Sequence, residues 1–399
     1  MYGADFVAIH LRGVFVRLAL IAGAVVFALS AVLTGCGGGG GSVGSSAPVA
    51  LPSTPLAAAT PTALPTSAPS GTIPQVYEPS SPLVADNSIR NLNVTQAAVV
   101  QASNAQSGVA HIMPLAGASP PSLSIAPAGH LVAHRGTSAA QTNDPRDVQY
   151  HGGMLIGNAL QHGIYVSTPQ ENCNPTCWGP IGNMQSDLGA SELINSVSSE
   201  YLNGLSTANR YPLGTSAYMM ANPTSVLVTN PLITQSMIYQ LLFTAAVTNG
   251  YGYGYGHVYH VFLPPNTDTC VDATDCYSPD SPSTFTFCGY HSSVLFTPGN
   301  QYVVYTVQPY DYVQGCGFNG GVNALPSEAD ETDSQQSVLT HELFETITDP
   351  DVGSGWISNV TGDEAADTCE GVYTTIQMNA TMYTVQSLWS DAVHLCTNG

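Results

Sequence analysis

His341, Glu342 and Glu345 form an H-E-x-x-E run inside the most acidic stretch of the chain. If residues 341–345 are helical, His341 and Glu345 stand four residues apart on one face and can reach a common ion. Glu342 then lies about 100° round the axis, close enough to act on a water held by that ion without binding the ion itself. Twelve of the 27 acidic residues fall between Glu328 and Glu370. The chain has no lysine, and its last arginine is Arg210. Carboxylates crowded together repel one another unless they are protonated, solvated or paired with a cation. Apart from a protonated histidine, the protein offers no such cation here. A divalent metal is the expected counter-charge.

The same mechanical logic underlies H-E-x-x-H in zinc peptidases, with glutamate here in place of the second histidine. Pro350 cannot continue a helix and biases Asp349 towards an extended conformation, so the helix should end near Thr348. Asp351 lies beyond that break and could turn back as a third ligand. The spacing resembles the H-E-x-x-H-x-x-G-x-x-H/D pattern of metzincin-type peptidases at His341, Glu342 and Asp351. It departs from that pattern at Glu345 and at Thr348. Zinc is the expected ion, although one imidazole and two carboxylates make a harder site that calcium or manganese could also accept. Asp349, Glu364, Asp367, His394 and His291 compete as ligands. The bland alternative makes these groups a solvated helix face. His257 and His260 would point to opposite faces of a strand and cannot share an ion. No G-x-S-x-G motif and no nucleotide-binding glycine pattern occurs.

Several elements must position these groups. A helix is expected from about Asp333, with Gln336 completing a capping box. Apolar spacing predicts further helices over 188–205 and 232–247. Strands are expected over 163–168, 257–263 and 301–307, with two more flanking Asn379-Ala380. The strand over 257–263 could lie beside the helix and align an extended substrate, and the tyrosine–glycine run 251–256 reads as a loop. Eight cysteines (Cys173, Cys177, Cys270, Cys276, Cys288, Cys316, Cys369 and Cys396) read as disulfides in an exported chain. They allow 105 pairings, among which we favour the sequence-local one, 173–177, 270–276, 288–316 and 369–396.

The whole chain supports export. Arg12 and Arg17 precede an apolar run ending in Leu33-Thr34-Gly35-Cys36, which resembles the lipobox of bacterial lipoproteins. Residues 1–36 are therefore expected to be a signal peptide whose Cys36 is lipidated, leaving the chain membrane-anchored outside the cytoplasm. Residues 37–147, rich in glycine, proline, alanine, serine and threonine, read as a mostly disordered tether. Residues 148–399 form the expected folded domain. A net charge of −21 disfavours nucleic acid and anionic lipid as partners. Only 8% of residues are charged, a sparse surface suited to an acidic exterior.

Tyr150-His151-Gly152-Gly153, Phe287-Cys288-Gly289-Tyr290-His291-Ser292, His341-Glu342 through Thr348-Asp349-Pro350, Trp356 and Asp367-Thr368-Cys369 occur in an order similar to that of a known family. They resemble bacterial relatives of the EXORDIUM-like, phosphate-induced secreted proteins over about residues 148–399. The resemblance implies an extracellular protein with a zincin-like α+β fold. The plant members of that family lack the histidine–glutamate pair and are linked to cell-wall growth. The expectation is thus an α+β, zincin-like, disulfide-bonded domain with a mixed sheet and an active-site helix. Its expected work is metal-dependent hydrolysis of a peptide. His341, Glu345 and Asp351 would hold the ion and Glu342 would act as base. A non-catalytic cell-envelope binding module with structural calcium is the alternative.

Overall fold

Strands covered on both faces are largely apolar on both, and the central strands of this chain are so, with Gln161, His162, His260 and Thr306 among the buried polar exceptions. The computed structural model describes residues 73–115, 144–173, 177–202, 210–297, 299–316 and 331–398. Within them, β1 (Ile89–Leu92), β2 (Gln106–Ser107), β3 (His111–Pro114), β4 (Leu160–Ser167), β5 (Ser216–Met220), β6 (His257–Phe262), β7 (Phe287–Phe296) and β8 (Gln301–Gln308) build one eight-stranded mixed sheet. β1, β5, β4, β6 and β8 are parallel neighbours in that order. β7 runs antiparallel to β8, and its other edge takes β2 and β3, also antiparallel.

Side chains alternate between two cores. Ile164, Val166, Tyr259, Val261, Val303 and Tyr305 face one side, where α1 (Gln96–Ala102) and α4 (Gln235–Phe243) pack. Tyr165, Val258, Phe262 and Val304 face the other, with α2 (Ile181–Gly189), α3 (Glu192–Tyr201) and α5 (Glu331–Thr348). A hairpin, β9 (Tyr373–Met378) and β10 (Thr381–Gln386), turns through Asn379 and Ala380 at φ 45° and 68°. β10 packs on α5, which also contacts β7 and β8. The fold is therefore α+β with a mixed sheet. Its four disulfides, Cys173–Cys177, Cys270–Cys276, Cys288–Cys316 and Cys369–Cys396, follow the sequence-local pairing.

The tether does not extend to residue 147. Residues 75–77, 89–92, 96–102, 106–107 and 111–114 form regular elements, and four of these five join the main sheet or pack on α4. The remaining one, Gln75–Tyr77, pairs in parallel with Met154–Ile156. Short strands ringed by proline and polar residues carry little periodicity of their own, so this segment is ordered by partners distant in sequence. The signal peptide, Cys36, residues 37–72 and residues 116–143 lie outside the described residues. No helix among the described residues is long and apolar enough to cross a membrane.

Three smaller expectations change. The helix expected over 188–205 is two helices, because Ser191 stops the first and caps the second, accepting from the Ile194 amide at 3.2 Å. α5 starts at Glu331, and Gln336 is not part of a capping box: its side-chain oxygen accepts from the Thr384 amide at 2.9 Å. β6 is interior, paired on both edges, and so has no free edge to offer a substrate.

Candidate metal centre

α5 is the element that makes the centre possible, and its sequence is polar for a buried helix. From Ser334 to Thr348 every residue is buried. Its hydroxyls are satisfied within the helix: Ser337, Thr340, Thr346 and Thr348 donate to the carbonyls of Ser334, Gln336, Glu342 and Phe344 at 2.6–3.0 Å. Leu339, Leu343, Phe344 and Ile347 supply the apolar contacts. The face that carries His341, Glu342 and Glu345 is left for chemistry.

That face meets β7 and β3. His291 and His111 are directly opposed across the two strands, with ring centroids 5.6 Å apart. Glycine at 289 lets the helix come close, since a Cβ there would lie 2.7 Å from Glu342 Oε1 and 2.8 Å from Val338 Cγ1. The loop after α5 closes the centre with Glu364 and Asp367, the latter on a short 3-10 turn, Asp367–Cys369. That turn is fastened by the Cys369–Cys396 bridge and by the Trp389 amide donating to the Ala365 carbonyl at 3.1 Å.

Three imidazoles and four carboxylates thus converge. His341 Nε2 lies 3.1 Å from Glu345 Oε2 and 3.5 Å from Asp367 Oδ1. His111 Nε2 lies 2.7 Å from Asp367 Oδ2, and its Nδ1 is 3.5 Å from Glu364 Oε1. His291 Nδ1 is 3.6 Å from Glu345 Oε2 and 3.7 Å from Glu342 Oε2, while its Nε2 is 3.6 Å from Glu364 Oε1. Four ligands at tetrahedral zinc distances would stand about 3.3–3.6 Å apart, which most of these separations bracket. His291 Nδ1, His341 Nε2, Glu345 Oε2, Asp367 Oδ1 and both carboxylate oxygens of Glu342 and Glu364 are buried and make no hydrogen bond. Buried polar atoms are seldom left so without a reason, and here they all face one another.

The outer nitrogens of two imidazoles are held. His291 Nε2 lies 3.2 Å from the Asp349 carbonyl, and a carbonyl only accepts, so this nitrogen carries a hydrogen and Nδ1 is the one turned to the carboxylates. His341 Nδ1 lies 3.0 Å from the Gln386 amide nitrogen and 3.3 Å from its oxygen, and that nitrogen also donates to the Ala366 carbonyl at 2.8 Å. Such outer contacts orient metal-binding histidines.

The charges are strongly coupled. Burial, the largest influence, opposes charge on all three imidazoles, yet the carboxylates outweigh it. Asp367 and Glu345 raise His111 to about 10, Glu345 and Asp367 raise His341 to about 10, and Glu342 and Glu345 raise His291 to about 9. Burial also opposes charge on Glu345, but His341 and His111 hold it well below the usual carboxylate range. Burial raises Glu342 and Glu364, the latter helped by Asp349 and Glu345. Free of metal, the cluster balances itself with protons, and those are the protons that a cation would displace.

The expected residues divide. His341, Glu342 and Glu345 come together, joined by the competing candidates Glu364, Asp367 and His291. Asp351 does not join them. The Asp349 carboxylate accepts from the amides of Gly353, Ser354 and Gly355 at 2.6–3.1 Å, which ties the post-helix chain into a tight loop. That loop turns Asp351 outwards, where it accepts from the hydroxyls of Tyr255 (2.6 Å) and Tyr302. Asp349 is occupied as this loop's cap, and His394 pairs with Asp147 at 2.7 Å. His257 and His260 do face opposite sides: His257 bonds His162 at 3.0 Å, and His260 bonds Thr306 at 2.9 Å. His111 was not anticipated. It lies in the segment read as tether, and no spacing motif links it to the helix.

Fold and site together define an α+β, disulfide-bonded protein with a buried histidine–carboxylate cluster at metal-ligand spacing. No protein-family profile, curated protein or solved structure matches the chain.

Proposed function

We propose that this protein is an exported, lipid-anchored, metal-dependent hydrolase acting on peptide bonds. The observation that carries the reading is the set of buried, inward-facing ligand atoms without hydrogen bonds, drawn from α5, β7, β3 and the 364–367 segment. Four disulfides and the lipobox-like leader support an oxidising compartment. The resemblance to EXORDIUM-like secreted proteins supports export, and the H-E-x-x-E helix supports the metal and the base.

His341, Glu345, Asp367 and His111 would hold the cation, with Asp367 and His111 in the place first expected for Asp351. A bound divalent ion supplies Lewis acidity towards a carbonyl and lowers the pKa of water. Glu342 is unencumbered by hydrogen bonds and kept basic by burial. It takes the proton from the attacking water and returns it to the leaving amine as the C–N bond breaks. Access lies on the His111 side, whose side chain is 20% exposed beside Asp367 at 8%. Among the described residues β3 pairs on one edge only, so it replaces β6 as the strand against which an extended peptide could align.

One observation favours the second reading, a cell-envelope module with a structural ion: His291, His341, Glu342, Glu345 and Glu364 have no solvent exposure. Glu342→Gln separates the two. On the catalytic reading it lowers hydrolysis of a broad peptide library by about 10²-fold or more and leaves metal content unchanged. If the metal-loaded wild type and this variant hydrolyse nothing alike, the structural reading stands.

A further inference from the structure

We propose that the cluster holds two divalent cations bridged by the Glu345 carboxylate; the inference rests on the metal reading above and extends it. Two groups each bring three ligand atoms within 4.8 Å of one another: His111, Glu345 and Asp367 form one, and His291, Glu345 and Glu364 the other. Glu345 is the one member they share. His341 Nε2 belongs with the first, through Glu345 and Asp367. Glu342 lies beside the second group, 3.7 Å from His291 Nδ1, where it can act as the base without being a ligand.

The donors outnumber what one ion takes. A protein zinc site has four ligands, whereas seven side chains converge here. The inward nitrogens of His341 and His291 approach the same atom, Glu345 Oε2, at 3.1 and 3.6 Å and come from different elements. A carboxylate between two imidazoles is placed to bridge two ions, which stand about 3.5–4 Å apart in two-metal sites. The independent sign of a ligand is the set of buried atoms without partners, spread over both groups: His341 Nε2 and Asp367 Oδ1 on one side, His291 Nδ1 and the Glu342 and Glu364 oxygens on the other.

The two positions differ in kind. The first offers two imidazoles and two carboxylates, a donor set suited to zinc. The second offers one imidazole and two carboxylates, with Glu342 beside it as the base, a harder set that favours manganese or another oxygen-seeking ion. The second ion should therefore leave first on dialysis against a weak chelator.

The test is stoichiometry. The untagged full chain, stripped of metal, is titrated with zinc and with manganese, and bound metal is counted by elemental analysis. Two equivalents per chain are expected, and the manganese-loaded protein should give an exchange-coupled paramagnetic resonance spectrum. His291→Ala and Glu364→Gln should each lose one equivalent and keep the other. One equivalent at saturation in the wild type, with the spectrum of isolated ions, overturns the bridged pair and leaves the single-metal reading intact. No bound metal overturns both. Should the variants fail to fold, wild-type stoichiometry and spectrum decide alone.

Discussion

Glu342 is positioned by what is missing opposite it. Gly289 has no side chain, and the carboxylate fills the space that a Cβ would claim. Gly289→Ala should therefore displace Glu342 and press on Val338, destabilising the domain by about 1–3 kcal/mol. Thermal melting should register the loss, and hydrolysis should fall with metal content retained. Asp351 supplies the converse test. It has the ten-residue spacing expected of a third ligand yet bonds two tyrosines away from the cluster. Asp351→Asn should leave metal content unchanged and cost about 1 kcal/mol in stability, read by elemental analysis and denaturant titration. A loss of metal in that variant would return Asp351 to the centre. Ten-residue spacing nominated it. The Asp349 cap, a local hydrogen-bond arrangement, then sent it elsewhere.

α5 was legible because a proline ends it and because His341 and Glu345 fall at helical spacing; its end at Thr348 is where Pro350 puts it. β7 was not legible as a strand. Its Cys288-Gly289-Tyr290-His291-Ser292-Ser293 run lacks alternation, because Ser292 shares the face of Tyr290 and Val294 and the pairing with β3 shifts register between Phe287 and Gly289. β3 was hidden for a related reason: four residues ending in proline have no signal without β7 beside them. The 3-10 turn that presents Asp367 depends on a bridge. Replacing Cys369 and Cys396 by serine opens a loop of sequence separation 27 and should cost about 3–4 kcal/mol. The melting temperature should drop, and metal affinity with it, because Asp367 and Glu364 lose their anchor. Unchanged affinity would mean that the turn is held without the disulfide.

The whole molecule carries its acids unevenly, and this sets a pH preference. Burial, then Asp147 and Glu200, raise Asp391 to about 8, and burial raises Asp268 to about 7. Unfolded carboxylates titrate near 3.9, so the folded state holds these two protons more tightly. The stability they contribute is complete below about pH 4 and is lost as pH rises through 7 to 8. The raised histidines of the metal-free centre act in the same direction, losing their contribution as pH climbs through 9 to 10. The chelated domain should thus melt several degrees lower at pH 9 than at pH 6, which accords with the acidic exterior expected from its sparse charge. A melting temperature that rises over that interval would reject it. Much of this protein was present in composition and short-range pattern: the pairing of neighbouring cysteines, a helix bearing His341, Glu342 and Glu345, and an acid crowd without basic neighbours. These are local properties, set by residues a few positions apart. Which carboxylates converge, and that His111 and His291 meet them, was decided by tertiary structure alone. Strand pairing and helix-to-sheet packing bring together residues whose separation along the chain leaves no periodic trace.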